Sequence, residues 1–532
     1  MKPNITQIAC LWAMAALLTL GGCKASRHAS STPAKNATAD DGHIEIVFLQ
    51  INDVYEIAPL EGGRVGGMAR IATLKKQLQK KNPNTYSVLA GDFLSPSLLG
   101  TIKYEGKAIK GKQMVEAMNA AGIDLVTFGN HEFDIKENEL QERMNESAFA
   151  WVSSNTRHFT KGGNIEPFAK IDESGNSHPI YDTYVIEAKD KDGTAVKVGI
   201  FGVTLPANRA DYVRYGNCDS AAVAAYVSLK KQCDIVVGLT HQSIEEDLAL
   251  AKSIPMLQLA MGGHEHNNML EQAGKLKVAK ADANAKTAYV HTLSYNKKTK
   301  ILYITSQLVN IDSAIPIDPA TDAVVQKWVS IGDSNMKELG FVPTNVVAEV
   351  PLSQAWEGRE TFLRHQPTNL ASLIARAMSA AAPQTNCAIL NTGSIRIDDQ
   401  MSGKITEYDI LRALPFGGGI VEVTMQGALL QKILDAGEKN KGSGGYLQYD
   451  KVAFDTVKKI WLIGGQALDK QKTYRVALPA FLMTGKEKNM DFLTDKNPEV
   501  VRVDAPKPEE KTDIRNDIRS LLINYLLGTK KK

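Results

Sequence analysis

Five short apolar runs in this chain each end in side chains that bind metal ions. Residues 44–51 run into Asn52-Asp53-Val54-Tyr55, and residues 87–90 into Gly91-Asp92. Residues 125–128 lead to Gly129-Asn130-His131-Glu132-Phe133-Asp134. Residues 235–239 lead to Thr240-His241, and residues 257–261 to Gly262-Gly263-His264-Glu265-His266. Runs of this length and composition read as buried strands. Layered α/β folds collect their chemistry just beyond the carboxyl ends of such strands. A lone aspartate after a strand is ordinarily a turn or cap residue, and a lone histidine an ordinary polar side chain. The repetition between Asn52 and His266 specifies a dinuclear metal site.

Between these strands the hydrophobic period changes. Residues 68–81 (MARIATLKKQLQKK) and 112–121 have helical spacing, so helices should cover a central sheet in βαβ order. Residues 324–339 predict another helix, which Gly340-Phe341-Val342-Pro343 breaks, and the domain junction is placed there. Beyond it, residues 368–379 predict a helix with Leu370, Leu373, Ile374 and Met378 on one face. Residues 386–390 predict a short buried strand before the turn Asn391-Thr392-Gly393-Ser394. Gly417-Gly418-Gly419 and Gly442-Ser443-Gly444-Gly445 mark further turns but lack the spacing of a phosphate-binding loop. Taken alone, this half reads only as a mixed α+β domain.

Sixty-two Lys and Arg against 59 Asp and Glu leave little net charge, so composition points to no nucleic-acid partner, and no protein partner is implied. Residues 1–23 read as a signal peptide: Lys2 is the positive end, and the apolar core 8–20 is too short for an ordinary span. Leu20-Gly21-Gly22-Cys23 resembles a bacterial lipobox, which implies cleavage before Cys23 and acylation of that cysteine. Residues 24–42 then form a flexible polar tether. The implied location is the bacterial cell envelope, membrane-anchored and facing the periplasm or exterior. Outside this segment only Cys218, Cys233 and Cys387 remain, an odd number that excludes a full disulfide framework. Cys218 and Cys233 either pair or stay as thiols.

The ordered series from Asp53 through Gly91-Asp92, the Gly129–Asp134 cluster and His241 to Gly263-His264-Glu265-His266 resembles the calcineurin-like metallophosphatases. More narrowly, it resembles the 5′-nucleotidase family. The resemblance implies an α/β chain that is α+β overall. A four-layer αββα metallophosphatase sandwich would occupy 43–322, a connecting helix and linker 323–345, and an α+β substrate-binding domain 346–532. It also implies two divalent ions, drawn from Zn, Mn, Mg or Co. Asp92 would bridge them, Asp53 and His266 would bind the first, and Asn130, His241 and His264 the second. His131 and Asp134 match the catalytic dyad. The family places histidine where this chain has Tyr55. A phenol with pKa about 10 is a poor ligand unless the ion acidifies it. Ligation as phenolate, replacement by water, weak binding of the first ion, and a tyrosine merely packed nearby all remain open.

The resemblance continues through the second half. Arg364, ahead of Thr368-Asn369-Leu370, matches an arginine that contacts substrate. In Asn391-Thr392-Gly393-Ser394-Ile395-Arg396, Asn391 would touch the nucleobase and Arg396 the phosphate end, with Thr392 and Ser394 standing in place of glycines. Phe416 of Leu414-Pro415-Phe416-Gly417 would stack on the base, with Phe492 across the ring, although Lys488-Asn489-Met490-Asp491 departs from the family pattern there. Two aromatics sandwich a planar base, and guanidinium groups match phosphate oxygens. The implied reaction is hydrolysis of nucleoside 5′-monophosphates by in-line attack of a metal-held hydroxide, with a hinge motion between domains. Nucleotide-sugar and cyclic-nucleotide hydrolysis share that chemistry. A lipid-anchored nucleotide-binding protein with impaired turnover is the alternative that Tyr55 raises.

Overall fold

The strand His43–Ile51 shows how the first domain is layered. Ile44, Ile46 and Phe48 point to one side, into a core shared with Val198, Ile200, Val237 and Leu239 of a second sheet. Leu49 and Ile51 point to the other side, against helices. A strand buried on both faces needs a continuous apolar run rather than alternation, which is the pattern of residues 44–51. This computed structural model describes residues 40–207, 210–397, 399–507, 509–510 and 512–529. The signal-peptide and Cys23 expectations lie outside the described residues.

The first sheet runs in the order Ile301–Asn310, Thr287–Asn296, His43–Ile51, Thr85–Ala90, Leu125–Thr127, Ala150–Trp151. The second runs Thr183–Lys189, Ala195–Thr204, Ile235–His241, Leu259–Gly262, Leu276–Lys280, Met269–Ala273. The chemistry-bearing strands of each sheet are parallel, so their carboxyl ends emerge on the same side. Helices Met68–Lys81, Lys112–Ala121 and Pro319–Glu338 cover the outer face of the first sheet through Ile71, Met114, Met118, Val325 and Trp328. Helices Cys218–Lys230 and Ile244–Ser253 cover the second through Ala222, Leu229 and Leu250. The result is the expected αββα sandwich.

The helix expected at residues 324–339 begins five residues earlier, at Pro319. Asp318 caps it by accepting from the Thr321 amide at 3.0 Å, and Pro319 takes the first turn, where its missing N–H costs nothing. Near its far end, Met336 enters the core of the second domain. There a sheet in the order Leu447–Asp450, Cys387–Asn391, Thr473–Pro479, Ile420–Gln426, Val500–Asp504 separates two cores. Helices Asn369–Ala381 and Ile518–Thr529 fill one side, and Gly427–Lys439 the other. Cys218, Cys233 and Cys387 are free thiols. Among the described residues, no helix is long and apolar enough to cross a membrane.

Candidate active site

Three of the five loops leave the first sheet and two leave the second, so they meet across one open end of the sandwich. Their backbones approach closely. A Cβ on Gly129 would stand 2.1 Å from Asp92 Oδ1, and one on Gly263 would stand 2.4 Å from the Ala90 carbonyl. Asp53, Asp92, His264 and His266 all sit at positive φ (53°, 58°, 95° and 63°), which L-residues adopt at a cost of about 1–3 kcal/mol each. Buried Glu132 holds the turns together. One of its oxygens accepts from the Phe93 and Leu94 amides at 2.7 and 3.0 Å, the other from Asp92 and Gly129 at 2.8 and 2.6 Å. Burial and the neighbouring Asp92 charge push its carboxyl up to about 7, against the pull of those amides.

The candidate ligands converge. Asp53, Asp92 and His266 are all buried, with ligand atoms within 4.8 Å of one another. Asp53 Oδ2 accepts from the His264 amide at 2.9 Å and from Asn52 at 2.8 Å. Asp53 Oδ1 is buried 3.1 Å from His266 Nε2 and lies outside any well-formed hydrogen bond. His241 Nε2 lies 3.0 Å from Asp92 Oδ2 and 3.2 Å from Asn130 Oδ1, while its Nδ1 faces the Ala90 carbonyl at 2.7 Å. The His264 ring centroid is 5.4 Å from that of His241. Tyr55 points its hydroxyl into this group, 3.0 Å from His266 Nε2 and 3.5 Å from Asp92 Oδ2. It is therefore not packed away from the cluster. A buried carboxylate oxygen with no proper donor, among imidazole and amide donors, fits a cation.

Beside these groups His131 Nδ1 pairs with Asp134 Oδ2 at 2.7 Å. Burial alone would lower the imidazole, but the Asp134 and Asp92 carboxylates outweigh it and hold it up to about 10. Burial would raise Asp134, yet His131 and Arg396 bring it down to about 2. His241 is likewise raised to about 9, burial being outweighed by Asp92. His264 is lowered to about 3 by burial and by the His241 charge.

Residues 46–268 match the family described as calcineurin-like phosphoesterase, and residues 346–495 match the 5′-nucleotidase C-terminal domain. The chain belongs to the 5′-nucleotidase family. That family consists of phosphoric monoester hydrolases, and its phosphoesterase domain uses divalent metals. A 5′-nucleotidase of Bos taurus is 25% identical over 479 residues, covering 79% of this chain and 78% of its own. A 5′-nucleotidase precursor structure from Thermus thermophilus superposes with a TM-score of 0.63 at 21% identity, covering 92% of this chain and 97% of the other. A sulfate thiohydrolase from the same genus superposes at 0.59 with 13% identity, over 91% and 94% of the two chains, so the fold also carries another chemistry.

Both 5′-nucleotidase domains face the cleft. Arg396 Nη2 donates across to Asp134 Oδ2 at 3.1 Å. Arg364 pairs with Glu360, and both line a cavity of about 250 Å³ with Asn130, His131, His264 and His266. A second cavity, of about 240 Å³, is lined by Ser95, Asp134, Arg396 and Phe416. A third, of about 490 Å³, holds Asn391, Phe416 and Phe481. Asn391 is oriented by Ser394 Oγ at 2.8 Å and by Glu487 at 3.0 Å. The structure does not bring Phe492 to this group, which corrects the expected pairing. Met490 and Leu493 are buried in the core beneath the helix Gly427–Lys439. That draws Phe492 to a separate cavity, where the Lys432 ammonium lies 3.9 Å from its ring centroid. The aromatic that shares the Phe416 cavity is Phe481, which is 46% exposed. It follows an ordinary strand end, Leu478-Pro479-Ala480, and carried no motif.

Proposed function

We propose that this protein hydrolyses nucleoside 5′-monophosphates to nucleoside and phosphate at the bacterial cell envelope, tethered through an acylated Cys23. The observation that carries the reading is the cavity lined by both Asp134 of the dyad and Phe416, with Arg396 between the domains. A base held at Phe416 and a phosphoryl group at His131 then belong to one ligand. The residues 1–23 pattern supports the anchor.

Asp53, Asp92 and His266 would hold one divalent ion, and Asp92, Asn130, His241 and His264 a second. The position of the Tyr55 hydroxyl supports it as a further oxygen toward the first ion. Bound there, the ions supply a nucleophile at neutral pH and Lewis-acid stabilisation of the phosphoryl oxygens. The protein's own groups do the rest. Asp134 engages Nδ1 of His131, so Nε2 is the ring atom that serves the phosphoryl group, as a proton donor or as a fixed positive charge. Arg364 and Arg396 bind the remaining phosphate oxygens. Phe416 and Phe481 stack on the base, while the Asn391 amide reads its edge.

Substrate profiling of single variants tests this. Phe416→Ala and Phe481→Ala are expected to raise KM for AMP about ten-fold, a typical cost of one lost stacking partner, and to leave p-nitrophenyl phosphate hydrolysis nearly unchanged. Phe492→Ala should alter neither. Equal losses on both substrates, or a wild-type preference for UDP-glucose or a cyclic nucleotide, would count against the monophosphate.

A further inference from the structure

The two arginines facing the phosphoryl end of the cleft already have carboxylate partners. Glu360 opens the short helix Glu360–Leu363, pairs with Arg364 and lies 3.8 Å from Arg396 Nη1. Arg396 also donates to Asp134. Two guanidinium groups are thus set against two carboxylates, with side-chain exposures of only 17–24%, and Asp134 is shared with His131. Glu360 is also held in place. The preceding Arg359 donates to Asn267 Oδ1 at 2.5 Å, next to His266 in the sequence, and its Nε donates to Glu357 at 2.8 Å. This ties the start of the helix to the metal loops of the other domain.

We propose that Glu360 is a specificity-determining residue, an internal anion on the Arg364–Arg396 pair that limits the negative charge a substrate can bring. The inference rests on the phosphohydrolase reading above and narrows it to single phosphoryl groups, with di- and triphosphate chains disfavoured. An incoming phosphate takes these guanidinium groups only by displacing the Glu360 carboxylate from them. A longer chain must also place its added charges against that carboxylate, and repulsion at contact distance grows with each charge. Groups this sheltered are only partly screened by salt. An ordinary exposed i,i+4 ion pair would instead have little effect on any anion.

The test is calorimetric titration of the metal-loaded protein with inorganic phosphate and with methylenediphosphonate at fixed free metal, for wild type and Glu360→Gln. Wild type should bind phosphate more tightly than the diphosphonate. Glu360→Gln should tighten the diphosphonate at least ten-fold and phosphate less than three-fold. In turnover, the ADP-to-AMP ratio of kcat/KM should rise five-fold or more, mainly through KM. A diphosphonate-to-phosphate ratio that stays within two-fold in a variant of unchanged melting temperature overturns the proposal. So does wild-type preference for the diphosphonate, a result that needs no variant. Anion binding that shifts as expected while no nucleotide is hydrolysed would remove the nucleotidase reading and leave Glu360 its role. AMP hydrolysis with an unshifted ratio would do the reverse.

Discussion

His131 keeps its proton through neutral pH because the Asp134 and Asp92 carboxylates outweigh the burial that would lower it. A group raised in this way stabilises the fold fully below its ordinary value of about 6.5 and loses that contribution as pH rises through about 10. Asp134, held down to about 2, contributes above about 3.8 and loses its share as pH falls through about 2. In the metal-free protein the same sign predicts an imidazole titration for His131 well above 6.5. Asp134→Asn should move that titration down toward 6.5, read from the imidazole NMR shifts of the metal-free protein; an unmoved titration would show that Asp134 does not hold the His131 proton. At this scale the convergence of Asp53, Asp92 and His266 was legible, because Asp and His at strand ends announce their chemistry. Glu132 was not, since the bonds it makes are to backbone amides, and the position of Phe492 was not, because it depends on Met490 and Leu493 docking under a helix.

The helix Pro319–Glu338 joins the two cores, with Trp328 fully buried in the first and Met336 in the second. Trp328 also donates from Nε1 to Glu116 at 2.9 Å. Trp328→Ala should cost about 3–5 kcal/mol, the usual range for deleting a buried aromatic, measured as a shift in the urea midpoint of the metal-free protein. A loss near zero would mean that the helix is not part of the first core. The body of this helix was visible in its apolar spacing, and its true start was also written, as Asp318-Pro319. The strands were visible as apolar runs. Their division between two sheets was not, because a run buried on both faces looks the same in either.

Between the domains, contacts join residues hundreds of positions apart, which no local pattern encodes. Arg412 Nε donates to Glu56 Oε1 at 3.0 Å and Tyr408 donates to Glu56 Oε2 at 2.6 Å, with Glu56 and Arg412 buried and Tyr408 half-buried, one residue beyond Tyr55. Asn284 links the same loop to Asp399, which Lys286 also binds at 2.6 Å. Any hinge rotation has to break this network. Arg412→Met leaves Glu56 buried without its cation and should cost about 3–5 kcal/mol, with Glu56→Gln in the same chain recovering part of it in denaturant titration. No loss on Arg412→Met would show that the interface is open in solution. The most direct test of the whole account is phosphate release from AMP by protein stripped of metal and then reloaded with Zn²⁺, Mn²⁺, Mg²⁺ or Co²⁺, beside His131→Ala. The account predicts no turnover without metal, recovery with at least one ion, and a kcat about 10²–10⁴-fold lower in His131→Ala. Turnover that survives metal removal or the His131 substitution, or a folded, metal-loaded protein that leaves AMP intact, would contradict it.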